Sequence, residues 1–241
     1  MGKAPPYVEI IKKNLLEDPA WGAYARGEGP MPDQPGSADL CAIWFLYIGD
    51  EERAVAASQV AAQYYERSYF QGTPEESRHI FHHLFSAALY WSLGQQETKA
   101  RERWAQVVRH RRLIPELWLL QHHKANYWIY EAYALAKLGR YAEVHAPAQV
   151  GFDWLSKEKG VDKAPHRNAL EYGLVAVLEA LAAYQVEPTA ERKQVAQQAL
   201  VTYKQENVRY GKNGYKVIFD LQRSYPDVFT PILPGPRPED D

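Results

Sequence analysis

The chain has 241 residues, a formal net charge of −2, and 46% hydrophobic and 24% charged residues. Those proportions exclude a disordered chain, and the bulk charge gives no reason to expect a nucleic-acid or membrane partner. Its single cysteine, Cys41, excludes an intramolecular disulfide and fits a reducing compartment.

No apolar run approaches the roughly 18 residues that a membrane span needs. The N-terminal stretch "MGKAPPYVEIIKKNLLEDPAW" is charged and lacks the apolar core of a secretory signal, so a cytoplasmic protein is expected. Residues 7–17 read as a short amphipathic helix. Residues 18–36, with four prolines and four glycines, read as a long loop.

From Ser37 to about Tyr210 the pattern is helical almost throughout. Helices are expected near 38–48, 51–70, 75–93, 96–112, 116–138, 141–158, 166–185 and 189–209. Pro74, Pro115, Pro165 and Pro188 fall at helix starts, where a missing N–H is harmless. Pro147 is the exception and, with Gly151, is expected to kink or break its helix. The segment "YKVIFDLQRSY" reads as a last short helix or an extended stretch in an irregular, acidic C-terminal region. The organisation expected is therefore an N-terminal helix and loop over 1–36, a helical domain over 37–210 and an irregular segment over 211–241.

Within the helical region, Gly49, Gly94 and Gly139 follow Ile48, Leu93 and Leu138 at intervals of 45 residues. One further interval reaches Tyr184. Seven positions before each anchor stand Ala42, Ala87, Ala132 and Val177; four before stand Phe45, Tyr90, Leu135 and Ala180. A glycine in the left-handed conformation ends one helix and reverses the chain. A small residue seven back admits a neighbouring helix. Such a hairpin cannot bury its apolar face alone, so hairpins stack.

The stretch "WIYEAYALAKLGRY" carries an aromatic at Trp128, a small residue at Ala132, the pair Leu138–Gly139 and an aromatic at Tyr141. Residues 34–159 thereby resemble tetratricopeptide (TPR) repeats. The resemblance implies an all-α single domain of stacked antiparallel helical hairpins, an α-solenoid. The interval of 45 departs from that family's usual ~34 and implies longer helices. The family's inner groove is lined by the first helix of each pair. Carried over, it implies partner-binding residues Tyr47, Phe81, Trp91, Asn126, Tyr130, Tyr133, Lys137 and Glu171, and hence a non-enzymatic protein that holds a peptide or protein, as an adaptor or an immunity-type inhibitor. The same aromatic surface would serve a homodimer.

Two other readings compete. His79, His82, His83, His122, His123 and His166 fall near one end of the first helices under the 45-residue register. His79 and His83, four apart, would share a helix face, a spacing that holds transition metals. With His122 and His123 they are candidate ligands of a metal-dependent enzyme. The run "KARERWAQVVRHRR" carries Lys99, Arg101, Arg103, Arg109, Arg111 and Arg112 against Glu102, a net +5. It would suit RNA or an acidic partner, or simply form a solvated helix face. No nucleophile motif, glycine-rich phosphate loop or dinucleotide fingerprint is present, so no cofactor is expected.

Overall fold

The structure is a computed structural model that describes residues 6–157, 165–210 and 214–230, with side chains for 9–157, 173–207 and 214–230. The described residues form α-helices, one short 3-10 turn and connecting loops, with no strand. In chain order the helices are α1 (Pro6–Glu17), α2 (Pro19–Ala25), α3 (Ala38–Ile48), α4 (Glu51–Phe70), α5 (Pro74–His79), α6 (Phe81–Leu93), α7 (Glu97–Leu113), α8 (Glu116–Gln121), α9 (Asn126–Lys137), α10 (His145–Lys157), α11 (Pro165–Val186), α12 (Ala190–Tyr210) and α13 (Tyr215–Ser224). No helix among the described residues is long and apolar enough to cross a membrane.

The proline-rich stretch 18–36 is not all loop. Asp18 accepts hydrogen bonds from the backbone N–H groups of Ala20 and Trp21, each at 3.1 Å, and starts α2 with Pro19 in its first turn. The Trp21 indole is buried and donates to the Gln34 carbonyl at 3.0 Å, while Ser37 donates to Asp18 at 3.0 Å. The loop is thus tied to α2 at both ends of its return.

Two long helices expected from the sequence divide. Thr73 and Glu76 form a reciprocal capping box, so α5 starts sharply and ends at His79 before α6 begins. In the next unit α8 ends at Gln121, His123 takes a positive φ of 52°, and α9 begins at Asn126. The first two intervals of 45 residues therefore each contain an extra short helix, α5 or α8, between two long ones. The helix expected over 141–158 is broken ahead of Pro147: a 3-10 turn covers Tyr141–Glu143, and α10 starts at His145. Pro147 sits in the first turn of α10, where its missing N–H removes no helical bond. The fourth anchor, Tyr184, lies inside α11, which runs on to Val186.

The helices pack in chain order: α3 on α4, α4 on α6, α6 on α7, α7 on α9, α9 on α10, α10 on α11 and α11 on α12. Ala42, Ala87 and Ala132 are all fully buried, as the close approach of neighbours requires. Gly49 and Gly139 adopt φ of 76° and 74° and reverse the chain as expected. Gly94 does not. Its φ is −80°, and the left-handed residue is Gln95 at 55°. Glycine is needed at 94 for space: a Cβ there would lie 2.8 Å from Gln59 Cγ and 3.0 Å from the Tyr90 carbonyl oxygen. Gln59 also donates to the Gly94 carbonyl at 2.9 Å, which locks α4 to this corner.

The segment expected to be irregular is ordered around α13, which packs against α3, α6 and α12. Tyr215, Val217, Ile218, Phe219, Asp220, Leu221 and Gln222 are all buried, so α13 is enclosed on every side. Val228 and Phe229 continue the contact, and Gln197 of α12 donates to the Val228 carbonyl at 2.9 Å.

These two kinds of glycine predict different substitution patterns. At Gly139 a Cβ meets nothing within 4 Å, so Gly139→Ala is expected to destabilise by about 1 kcal/mol through backbone strain, with Gly139→Asn milder. Gly94→Ala and Gly94→Asn are both expected to destabilise by about 1–3 kcal/mol through overpacking. Urea unfolding of the four variants distinguishes the patterns; relief by Asn at 94 would contradict the steric account.

Candidate functional site

The residues implied as a partner-binding row are mostly engaged within the fold. Phe81 is buried against Tyr127, with ring centroids 4.8 Å apart. Trp91 donates its indole N–H to Glu66 at 2.6 Å and lies under Lys99 at 4.2 Å. Asn126 donates to Tyr130, whose ring stacks on Phe85 at 4.2 Å. Tyr47, half-buried, stacks on Trp44 at 6.3 Å. The Glu171 side chain lies outside the described residues.

Tyr133 and Lys137 meet a residue that the sequence reading left out. Asp220 of α13, 1% exposed, accepts from Tyr133 Oη and Ser92 Oγ at 2.5 Å each. Lys137 Nζ donates to both of its oxygens at 2.9 Å and also to Ser92 Oγ at 3.0 Å. Burial, and then the neighbouring Asp220 charge, push the Tyr133 phenol well above its usual range. Tyr133 is therefore a fixed donor. Arg223 donates to the Leu93 carbonyl at 2.6 Å and Tyr225 to the Ala136 carbonyl at 2.8 Å. These are carbonyls at the ends of α6 and α9, which lack partners inside their own helices. The α13 segment thus closes two helix ends and occupies the Tyr133 and Lys137 part of the row expected to take a peptide. The signal for it was present: apolar Val217, Ile218 and Leu221 recur at helical spacing around Asp220.

The four candidate metal ligands fall on different elements. His79 ends α5 and His83 lies in α6, so the break at Ile80 denies them a shared helix face. His79 instead meets His122 and Trp118 of α8, with ring centroids at 5.2 and 4.9 Å, and joins the two short helices. His83 Nδ1 is 2.9 Å from Ser68 Oγ, and its ring is 4.4 Å from that of His82. His123 occupies the left-handed turn after α8. Among the described residues, no three His, Cys, Asp or Glu side chains gather as a metal-holding group.

The basic run forms α7, and two of its six cations form close ion pairs with neighbouring helices. Arg103 pairs with Glu66 at 2.5 Å, and Arg112 pairs with Glu131 at 2.6 Å. Lys99 caps the Trp91 ring. Arg101 and Arg109 are exposed. Arg111 is 4% exposed, with its guanidinium 4.4 Å from the Trp128 ring centroid. Burial lowers its pKa despite Glu131 and Glu116 nearby.

Two open features lie at the edge carrying α5 and α8; another cleft, of about 430 Å³, lies away from that edge and is lined by Pro35, Asp39, Ala61, Tyr64 and Tyr65. At the edge, one cleft of about 360 Å³ is lined by Tyr69, Phe70, Arg78, His110, Leu113 and Ile114, among others. A second, of about 710 Å³, runs from Arg111, Ile114 and Trp128 to Pro147 and Val150 of α10. The two share Ile114. Around them Leu113 is 72%, Leu117 66% and Phe70 47% exposed.

Two predictions follow from these buried groups. Asp220→Ala removes one partner of a buried pair and is expected to destabilise by about 3–5 kcal/mol, whereas Lys137→Met with Asp220→Leu recovers much of the loss; urea unfolding measures both. Burial, then His83, Lys124 and Lys216, hold His82 at about 4 against an ordinary 6.5. The unfolded chain binds more protons between those values, so this contribution is present above pH 6.5 and is lost as pH falls toward 4. His82→Gln is expected to flatten the stability profile over that window in pH-dependent melting; an unchanged slope would contradict the assignment.

With this geometry in hand, comparison with protein-family models, curated proteins and solved structures finds no match for the chain.

Proposed function

We propose that the chain is a non-enzymatic, TPR-like helical-repeat protein of the cytoplasm whose task is to bind a peptide segment of a partner protein. The repeat reading is supported by the chain-order packing of helices, the buried Ala42, Ala87 and Ala132, and the left-handed corners at Gly49 and Gly139. The binding face moves relative to the family's inner groove. Because α13 occupies the Tyr133 and Lys137 part of the expected row, the edge formed by α5, α8 and the start of α10 is the surface assigned to binding here.

The observation that carries this reading is the exposure of Phe70, Leu113 and Leu117 beside two clefts that meet at Ile114. Large apolar side chains concentrated beside concavities favour recognition, because they lose water on docking and find pockets to fill. Arginine and tyrosine neighbours supply directed hydrogen bonds at the rim. Adaptors and immunity-type inhibitors both require such a surface.

Selection of a displayed peptide library against the intact protein tests the assignment. Enriched peptides are expected to lose affinity by about tenfold or more, about 1.4 kcal/mol, with Leu113→Glu or Leu117→Glu. They should be unaffected by Val195→Glu, an exposed apolar position on α12. Binding indifferent to the edge substitutions would overturn the reading.

A further inference from the structure

We infer that the cleft between α7, α8, α9 and α10 seats the C-terminal carboxylate of a peptide, with Arg111 as its cation and Trp128, Ile114 and Val150 walling the last side chain. This rests on the edge being the peptide surface and specifies the chemistry it reads. The Arg111 guanidinium has unspent hydrogen-bonding capacity. Arg111 carries five N–H donors in a rigid fork. Among the described residues its only hydrogen bond is a long one, from Nη1 to the Ile114 carbonyl at 3.5 Å. Its Nε has no acceptor, and the nearest ion-pair contact, Glu131 Oε2, is 3.9 Å away.

The acidic neighbours do not fill this vacancy in charge. Glu131 is taken by Arg112 at 2.6 Å, and Glu143 by Arg140, whose two nitrogens each reach it at 2.6 Å. Arg111 is the cation left over in this network. Glu131, Glu143 and Glu116 all line the cleft; the first two are neutralised by Arg112 and Arg140, and Glu116 is exposed, where water and salt screen its repulsion. Stacking on Trp128 at 4.4 Å holds the guanidinium in place before any ligand arrives.

The cleft's dimensions and lining suit the proposed occupant. At about 710 Å³ it lies within the range of small-ligand sites. A terminal carboxylate and an apolar side chain belong to one residue, so they arrive together where a planar cation sits beside an apolar wall. Arginine engages carboxylates through two parallel N–H bonds, which a neutral carboxamide cannot match.

The test uses the full chain and acetylated tripeptides ending in phenylalanine, as the free acid or the carboxamide, followed by isothermal titration. Binding of the acid at least about tenfold tighter than the amide is expected, and Arg111→Gln should abolish the preference. Benzoate is expected to bind more weakly than the peptide acid, since it lacks the backbone; equal or tighter benzoate binding would assign the cleft to small carboxylates and overturn the peptide reading of it. Val150→Trp, which leaves Arg111 intact and fills the cleft, should also abolish acid binding and guards against misfolding of the arginine variant. Equal binding of acid and amide would overturn this inference while leaving library-selected binding at the edge standing. Absence of acid binding at about 1 mM would likewise overturn it.

Discussion

A carboxylate taken out of water must be matched by donors, or it opposes folding by several kcal/mol. Asp220 is matched by three: Lys137, Tyr133 and Ser92. They come from α6 and α9, so only one placement of α13 across those helices satisfies all of them. Arg223 and Tyr225 then reach the terminal carbonyls of the same two helices. The polar contacts specify position, and Val217, Ile218 and Leu221 supply the apolar burial that makes the placement favourable. The last helix is thereby a structural member joining successive units, not an appendage.

This arrangement engages Tyr133 and Lys137 within the fold. At the edge, α5 and α8 interrupt the alternation of long helices. His79, Trp118 and His122 hold those short helices together through ring contacts. The two 45-residue intervals thus hold extra short helices rather than simply longer ones.

The basic helix shows how local charge misleads without its neighbours. Read along the chain, α7 is a run of cations seeking an anion. In three dimensions Arg103 faces Glu66 on α4, and Arg112 faces Glu131 on α9. Those two charges hold adjacent helices together, while Arg101 and Arg109 stay exposed. Arg111 differs because the glutamate nearest to it is more closely engaged by Arg112, leaving a buried guanidinium with spare donors beside a cleft.

Much of the scaffold was legible in the residues themselves. Helical periodicity, caps such as Asp50 and the glycines at 49 and 139 act within a few residues of where they are written, so α3, α4, α7, α11 and α12 lie close to their expected positions. The Thr73–Glu76 box marks where α5 begins, but it does not mark the division at Ile80, which the apolar pattern beyond it masks. Tertiary structure alone decided the rest. Gly94 is a glycine because Gln59, 35 residues earlier, occupies the space of its Cβ. Lys137 is a scaffold residue rather than a partner contact because its carboxylate lies 83 residues downstream. Conformational preferences are local and can be read along a chain; the partner of a buried charge is chosen by packing, which brings together residues that no spacing rule connects.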